Sequence, residues 1–227
     1  MTTEQLGFRI NASFERVPDE LSKSACTIPV AVIGDVAQRI FSLSGGLENY
    51  SRKALRFAGP ALTVKVRPGD HLFLHKALDI AMPGDIVVCD AGAALENAIL
   101  GENMGRYAVS RGIAGIVIDG AIRDRAGLAG LSIPVYARGV TPNGPWKSGP
   151  GEIGYPVAVG GVAIAPGDLV VGDEDGVIVL PRAEAQAVIA RAQARVEVEA
   201  RSARQITEKA WPRAWIDQAI AQLSDIR

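Results

Sequence analysis

Two runs of β-branched residues, Ile86-Val87-Val88-Cys89-Asp90 and Gly115-Ile116-Val117-Ile118-Asp119, flank a segment with helical character. Neither run alternates apolar with polar residues, so each must be covered on both faces, as strands are in a parallel sheet sheathed by helices. Between them "ENMGRYAVSRG" (102–112) is a crossover helix that stops at Gly112. A strand, a crossover helix and a second strand join in parallel with right-handed sense. This unit excludes a helical bundle and a purely antiparallel sandwich. It also puts two points of the chain on one sheet edge, the helix start after Gly101 and the residues that follow Asp119.

The rest of the chain is punctuated by Pro-Gly-Asp at 68–70, 83–85 and 166–168, each the centre of a type II turn with Gly at positive φ. Strands are expected at 30–35 (VAVIGD), 61–66, 133–138 and 156–164, and a hairpin in "LVVGDEDGVIVL" turning at Glu174-Asp175-Gly176. Helices are expected at 71–81, capped by Asp70, in the alanine-rich stretch from Arg182 to Arg204, and at 213–223. The Gly/Pro-rich stretch 139–156 reads as a long loop, functional or packed against a neighbouring subunit. The fold class is therefore α/β, one domain with a mixed sheet over 28–182, an N-terminal extension at 1–27 and a helical C-terminal tail at 183–227.

Formal net charge is −1, which leaves no electrostatic footprint for nucleic acid or an anionic membrane. No apolar run approaches the roughly 18 residues that span a bilayer. The first residues lack the basic-then-apolar order of a signal peptide, and Cys26 and Cys89 have no metal-type spacing. The expectation is a cytoplasmic protein without nucleic-acid or membrane partners. No glycine-rich cofactor loop follows the first strand, which argues against a methyltransferase.

The chemistry gathers in "VIDGAIRDRAGL" (117–128), where Arg123 and Asp124 follow a strand tip. Across the sheet edge, the amides of Glu102, Asn103 and Met104 form the first turn of a helix, at the positive end of its dipole. Gly101 beside them lets a carboxylate approach the backbone. Arg123 can grip an oxo acid's carboxylate bidentately, and Asp124 can hold a hard divalent cation, Mg²⁺ or Mn²⁺. Such a cation stabilises an enolate as Lewis acid. Glu102 either takes up a proton through water or merely suits the helix dipole.

The runs "PGDIVVCDAGA", "GENMGRYAVSRGIAGIVIDGAIRDRAGL" and "PVAVGGVAIAPGDLVVGDEDGVIVLPR" resemble the RraA-like family over roughly residues 28–200. That family contains the regulator of ribonuclease activity A and the 4-hydroxy-4-methyl-2-oxoglutarate aldolases, some of them misnamed demethylmenaquinone methyltransferases. The resemblance implies a swivelling β/β/α-type domain in ring-shaped homotrimers or homohexamers, with active sites near subunit boundaries. It implies that Gly101, Glu102, Asn103, Met104 and Arg123 bind substrate and that Asp124 is the metal ligand; Arg123 and Glu102 are the candidate catalytic residues on the reading above. The expected activity is metal-dependent cleavage of a 4-hydroxy-2-oxo acid to pyruvate, with oxaloacetate decarboxylation by the same enolate. The alternative is a non-catalytic regulator that binds a ribonuclease or helicase. Asn103-Met104 stands where aldolases carry a more aliphatic pair, and Glu197 and Glu199 are candidate acids for a neighbouring subunit's metal shell.

Other residues invite plainer readings. His71 and His75, with Asp79 a turn later, have the spacing of a metal stripe but also of a helix start and core edge. "GDEDGV" (172–177) is better explained as a hairpin turn than as a calcium loop. Trp146 and Lys147 either touch a substrate's distal carboxylate or pack against a subunit. Tyr107 reads as packing, Arg106 as solvated, and Trp211 and Trp215 as a face that docks the tail on the body or on a partner.

Overall fold

A computed structural model describes residues 5–44, 46–51 and 55–224. The chain begins with α1 (Asp19–Cys26), α2 (Val30–Val36), a two-residue strand β1 (Glu48–Asn49) and the long β2 (Phe57–Val66). Next come α3 (Leu72–Ile80), β3 (Ile86–Asp90), the short β4 (Ala98–Leu100), α4 (Glu102–Ser110) and β5 (Gly115–Ile122). A single turn, α5 (Arg125–Leu128), leads to β6 (Val135–Val140), β7 (Gly151–Ile153) and the small hairpin of β8 (Val157–Val159) and β9 (Val162–Ile164). The hairpin of β10 (Leu169–Asp173) and β11 (Gly176–Leu180) precedes α6 (Arg182–Thr207) and α7 (Ala214–Ser224).

The main sheet is nine-stranded and mixed, ordered β1-β6-β5-β3-β2-β10-β11, with β4 on β5 and β7 on β2. Its centre is parallel: β3 pairs with β5 from Ile86↔Gly115 to Asp90↔Asp119, and with β2 from Ala61↔Ile86. The unbroken apolar runs have their reason here. Val87 and Cys89 of β3 face the cluster under α3 and α4, while Ile86 and Val88 face the cluster formed with β8 and β9. A third cluster packs Val17, Leu21 and Ala25 with α2, α6 and the β10–β11 hairpin. No helix among the described residues is long and apolar enough to cross a membrane.

The three Pro-Gly-Asp turns form as expected: Gly69, Gly84 and Gly167 sit at φ +76°, +90° and +84°. Each Asp amide bonds the carbonyl three residues back, at 2.9, 3.0 and 3.2 Å for Asp70, Asp85 and Asp168. Their carboxylates brace the scaffold; Asp85 is fully buried and takes both Arg16 Nε and Nη2, at 2.8 and 3.0 Å.

Several expected elements differ. Residues 30–35 form helix α2 rather than a strand, because Pro29 presets the first turn and the Asp173 carboxylate accepts the Val30 N–H at 2.9 Å. Packing of Val30, Val32 and Ile33 against α6 then overrides the β-branched propensity. The stretch 156–164 is two strands, not one, turning at Gly160-Gly161 with φ +56° and +83°. The expected strand 133–138 is shifted to Val135–Val140, and the loop 139–156 contains β7, which pairs with β2. At α3 the cap position belongs to His71, although Asp70 Oδ1 still accepts the Leu72 N–H at 2.9 Å.

Candidate functional site

Strands β4 and β5 run side by side in parallel, Ala98↔Ala121 and Leu100↔Ile122, so their exits are neighbours. One exit is Gly101, which opens α4; the other is Arg123-Asp124. The Arg123 N–H donates to the Leu100 carbonyl at 2.9 Å, and the Glu102 N–H to Asp124 Oδ2 at 3.2 Å. Asp124 thus rests on the positive end of α4, as the spacing implied. Gly101 is extended (φ −139°), a conformation open to any residue, but a Cβ there would lie 2.6 Å from Asp124 Oδ2 and 3.3 Å from Arg123 Nε. Space, not backbone freedom, demands glycine at 101. Asp124 itself is left-handed (φ 57°, ψ 41°), a strained state that Asp tolerates better than most residues and that clusters at functional sites.

These groups border one cavity of about 200 Å³. Gly101, Asn103, Met104, Arg123 and Asp124 line it together with His71, His75 and Lys147. Arg123 and Asp124 are 43% and 48% exposed, with Nε and Oδ2 3.8 Å apart. A pair so loose and wet contributes little stability, and both groups remain able to engage a ligand. Glu102 is the expected site residue whose side chain is not in the wall. Its carboxylate takes Arg106 Nη2 and Nε at 2.6 and 2.8 Å and leans over Gly127.

The Gly/Pro-rich loop forms part of the wall, tied down at both ends. The Ala98 N–H donates to Asn143 O at 3.0 Å, and Asn97 Nδ2 to Gly144 O at 2.6 Å. Farther along, Trp146 N–H reaches Gly69 O at 2.8 Å and His71 N–H reaches Trp146 O at 3.1 Å. Buried Asp70 collects the Ser148 and Gly149 amides at 2.8 and 2.9 Å. Those three amides, counting Leu72, hold the Asp70 carboxyl below the usual range against the opposing effect of burial.

Burial is also the main reason that the His71 imidazole is pushed down to about 4, with His75 and Lys147 adding to it. His75 is lowered too, by burial and Lys147. The histidines make a T-shaped contact with centroids 4.4 Å apart, while Asp79 accepts the Tyr107 hydroxyl at 3.0 Å instead of completing a metal stripe. Tyr107 is 41% exposed, so hydrogen bonding rather than packing defines it.

Among the described residues no group of three or more His, Cys, Asp or Glu side chains could hold a metal ion. Asp124 is the single carboxylate in the cavity wall, and one of its oxygens already accepts an amide. That donor set fits a hard cation that retains waters and takes further ligands from substrate. Glu199 of α6 pairs with Arg195 at 3.5 Å, and Glu197 lies exposed on the same helix. Trp211 and Trp215 are 40% and 60% exposed and are not covered by the body of this chain.

Sequence reasoning passed over β4, which brings Gly101 to Arg123, and weighed His71 and His75 only as a metal stripe or core edge. The usable signal was Asp70: a Pro-Gly-Asp turn immediately before His71 anchors the α3 start to the Gly/Pro-rich loop.

Comparison with known proteins agrees with this architecture. The RraA-like family, described as Aldolase/RraA, matches residues 30–179. A Thermus thermophilus protein named 4-hydroxy-4-methyl-2-oxoglutarate aldolase is 35% identical over 148 residues, 65% of this chain and 85% of its own length. A Halalkalibacterium halodurans protein, provisionally given the same name, is 40% identical over 167 residues, 74% of this chain and 79% of its own. The crystal structure of Streptomyces coelicolor RraAS2, described as an unusual member of the RNase ES inhibitor RraA protein family, superposes with a TM-score of 0.76 at 32% identity, covering 84% of this chain and 98% of that one. Since the matched span runs from α2 into β11 and includes both sheet-edge exits, the chain belongs to the RraA-like family.

Proposed function

We propose that the chain is a divalent-metal-dependent carbon–carbon lyase that cleaves a 4-hydroxy-2-oxo acid to pyruvate. The observation that carries this reading is the convergence of Arg123, Asp124 and the Gly101 opening of α4 on one cavity. The names of the Thermus and Halalkalibacterium relatives point the same way.

In this reading Arg123 grips the substrate carboxylate and the amides of Asn103 and Met104 orient it, the Glu102 N–H being held by Asp124. Asp124 would hold Mg²⁺ or Mn²⁺, whose Lewis acidity polarises the keto group when bound. The C4 hydroxyl proton passes through solvent to Glu102, which sits in the chain between cavity-lining Gly101 and Asn103. Collapse of the C4 alkoxide breaks the C3–C4 bond, and the electron pair becomes the enolate of pyruvate, which is then protonated at C3. Oxaloacetate loses CO₂ through the same enolate. The RraA-like likeness also leads us to propose a homotrimeric or homohexameric ring, with Glu197 or Glu199 reaching a neighbour's site.

The test is pyruvate release, coupled to lactate dehydrogenase, from 4-hydroxy-4-methyl-2-oxoglutarate and from oxaloacetate, with Mg²⁺ and then with EDTA. Turnover that EDTA removes supports the lyase, and absence of turnover with both substrates refutes it. The likeness to Streptomyces RraAS2 favours a second reading, a regulator that binds a ribonuclease. A stable complex in pull-down without metal-dependent turnover would support that reading; it leaves the close approach of Asp124 to Gly101 and the strained Asp124 backbone without a use.

A further inference from the structure

Buried polar side chains in this protein are almost all satisfied. Among the described residues only Ser22 Oγ and His71 Nε2 are buried without a hydrogen-bond partner. Ser22 lies on α1, outside the cavity wall, whereas His71 is 7% exposed and lines the same cavity as Arg123. Its backbone has little freedom: the N–H is bonded to Trp146 O at 3.1 Å, and the carbonyl accepts the His75 N–H at 2.9 Å. Its ring is held edge-on against His75. An imidazole nitrogen fixed in this way and left unpaired is completed by a ligand or by water.

The surroundings identify the ligand group. Lys147, one residue beyond Trp146, shares the wall and makes no ion pair among the described residues. Arg123 supplies a second cation to the same wall and is itself felt by the His71 ring. Burial, then His75 and Lys147, push His71 down to about 4, so it meets a ligand as a neutral hydrogen-bonding group. Two cations and a neutral donor match an oxo acid with a carboxylate at each end. We infer that His71 is a specificity-determining residue, its Nε2–H donating to the second carboxylate of a dicarboxylic oxo acid whose first carboxylate is held by Arg123, with Lys147 as counter-ion. The inference rests on the oxo-acid reading of this cavity. It makes His71 a selector: a monocarboxylic oxo acid leaves Nε2 unpaired and is disfavoured for that reason.

The experiment is calorimetric binding of pyruvate and of 2-oxoglutarate to the Mg²⁺-loaded protein, wild type, His71→Leu and His71→Gln. 2-Oxoglutarate has both carboxylates and the keto group but no 4-hydroxyl, so it binds without being cleaved. His71→Leu is expected to weaken 2-oxoglutarate binding by about 10- to 100-fold, the range for a lost hydrogen bond to a charged group, and to leave pyruvate within about 2-fold. Glutamine, whose amide nitrogen reaches where Nε2 lies, is expected to recover most of the loss. Equal weakening of both ligands, or of neither, overturns the inference while leaving the lyase reading intact. Failure of the wild type to bind pyruvate overturns the lyase reading, and the inference with it.

Discussion

The side chain of Asp124 accepts the backbone N–H of Glu102 at 3.2 Å, across a gap that exists because residue 101 has no Cβ. Scaffold and site therefore share one hydrogen bond, and substitutions at the three positions separate their contributions.

At Asp124, strain and function oppose each other. A left-handed non-glycine residue costs about 1–2 kcal/mol relative to glycine there. Asp124→Gly is expected to hold or raise the melting temperature while cutting pyruvate release at least about 10³-fold, the scale of losing a metal's transition-state stabilisation. A variant with near-normal turnover would contradict the metal-ligand assignment.

Gly101→Ala places a methyl 2.6 Å from Asp124 Oδ2 without any backbone penalty at φ −139°. The carboxylate must move, so kcat/KM should fall by about 10²-fold, as expected for an ångström of misplacement. Circular dichroism should be unchanged.

Arg123→Lys keeps the charge but loses the planar fork. KM for the oxo acid is expected to rise by about 10-fold or more, the value of one charge-assisted hydrogen bond. Unchanged KM would remove Arg123 from substrate binding.

Below its ordinary value of 6.5, an unfolded His71 binds a proton that the folded chain refuses until about 4. The unfolded state is thus the better proton binder in that window, so stability contributed by neutral His71 is complete above 6.5 and is lost as pH falls toward 4. Between pH 7 and pH 5 the melting temperature of the wild type should fall by more than that of His71→Gln, which has no proton to take up; equal falls would remove His71 from the pH dependence.

Arg16 covers a carboxylate that is 0% exposed. Arg16→Ala should destabilise the chain by about 3–5 kcal/mol, the cost of leaving a buried charge without its partner. Urea denaturation measures it, and a loss under about 1 kcal/mol would show that the Met82 N–H, which donates to Asp85 Oδ2 at 2.9 Å, suffices for that carboxylate.

The parallel centre was legible because its strands are buried on both faces, and such strands carry no alternation to misread. The placement of Arg123 and Asp124 opposite Gly101 followed from that topology. Residues 30–35 misled for a tertiary reason: Asp173, over a hundred residues away, caps the helix, and α6 covers it. The His71 and Lys147 side of the cavity was obscure because it is assembled by Asp70 gathering amides from the segment between β6 and β7. Local periodicity does not encode contacts of that kind.

The left-handed backbone at Asp124 also bears on how such a chain diverges. Glycine and asparagine enter that position without steric objection, whereas a longer acid such as glutamate has no αL preference to help it. In the proposed lyase, replacing Asp124 by glycine removes the metal-binding carboxylate and relieves the backbone in one substitution. The reverse change puts a side chain back on a strained backbone, so on steric grounds that carboxylate is lost more easily than it is regained.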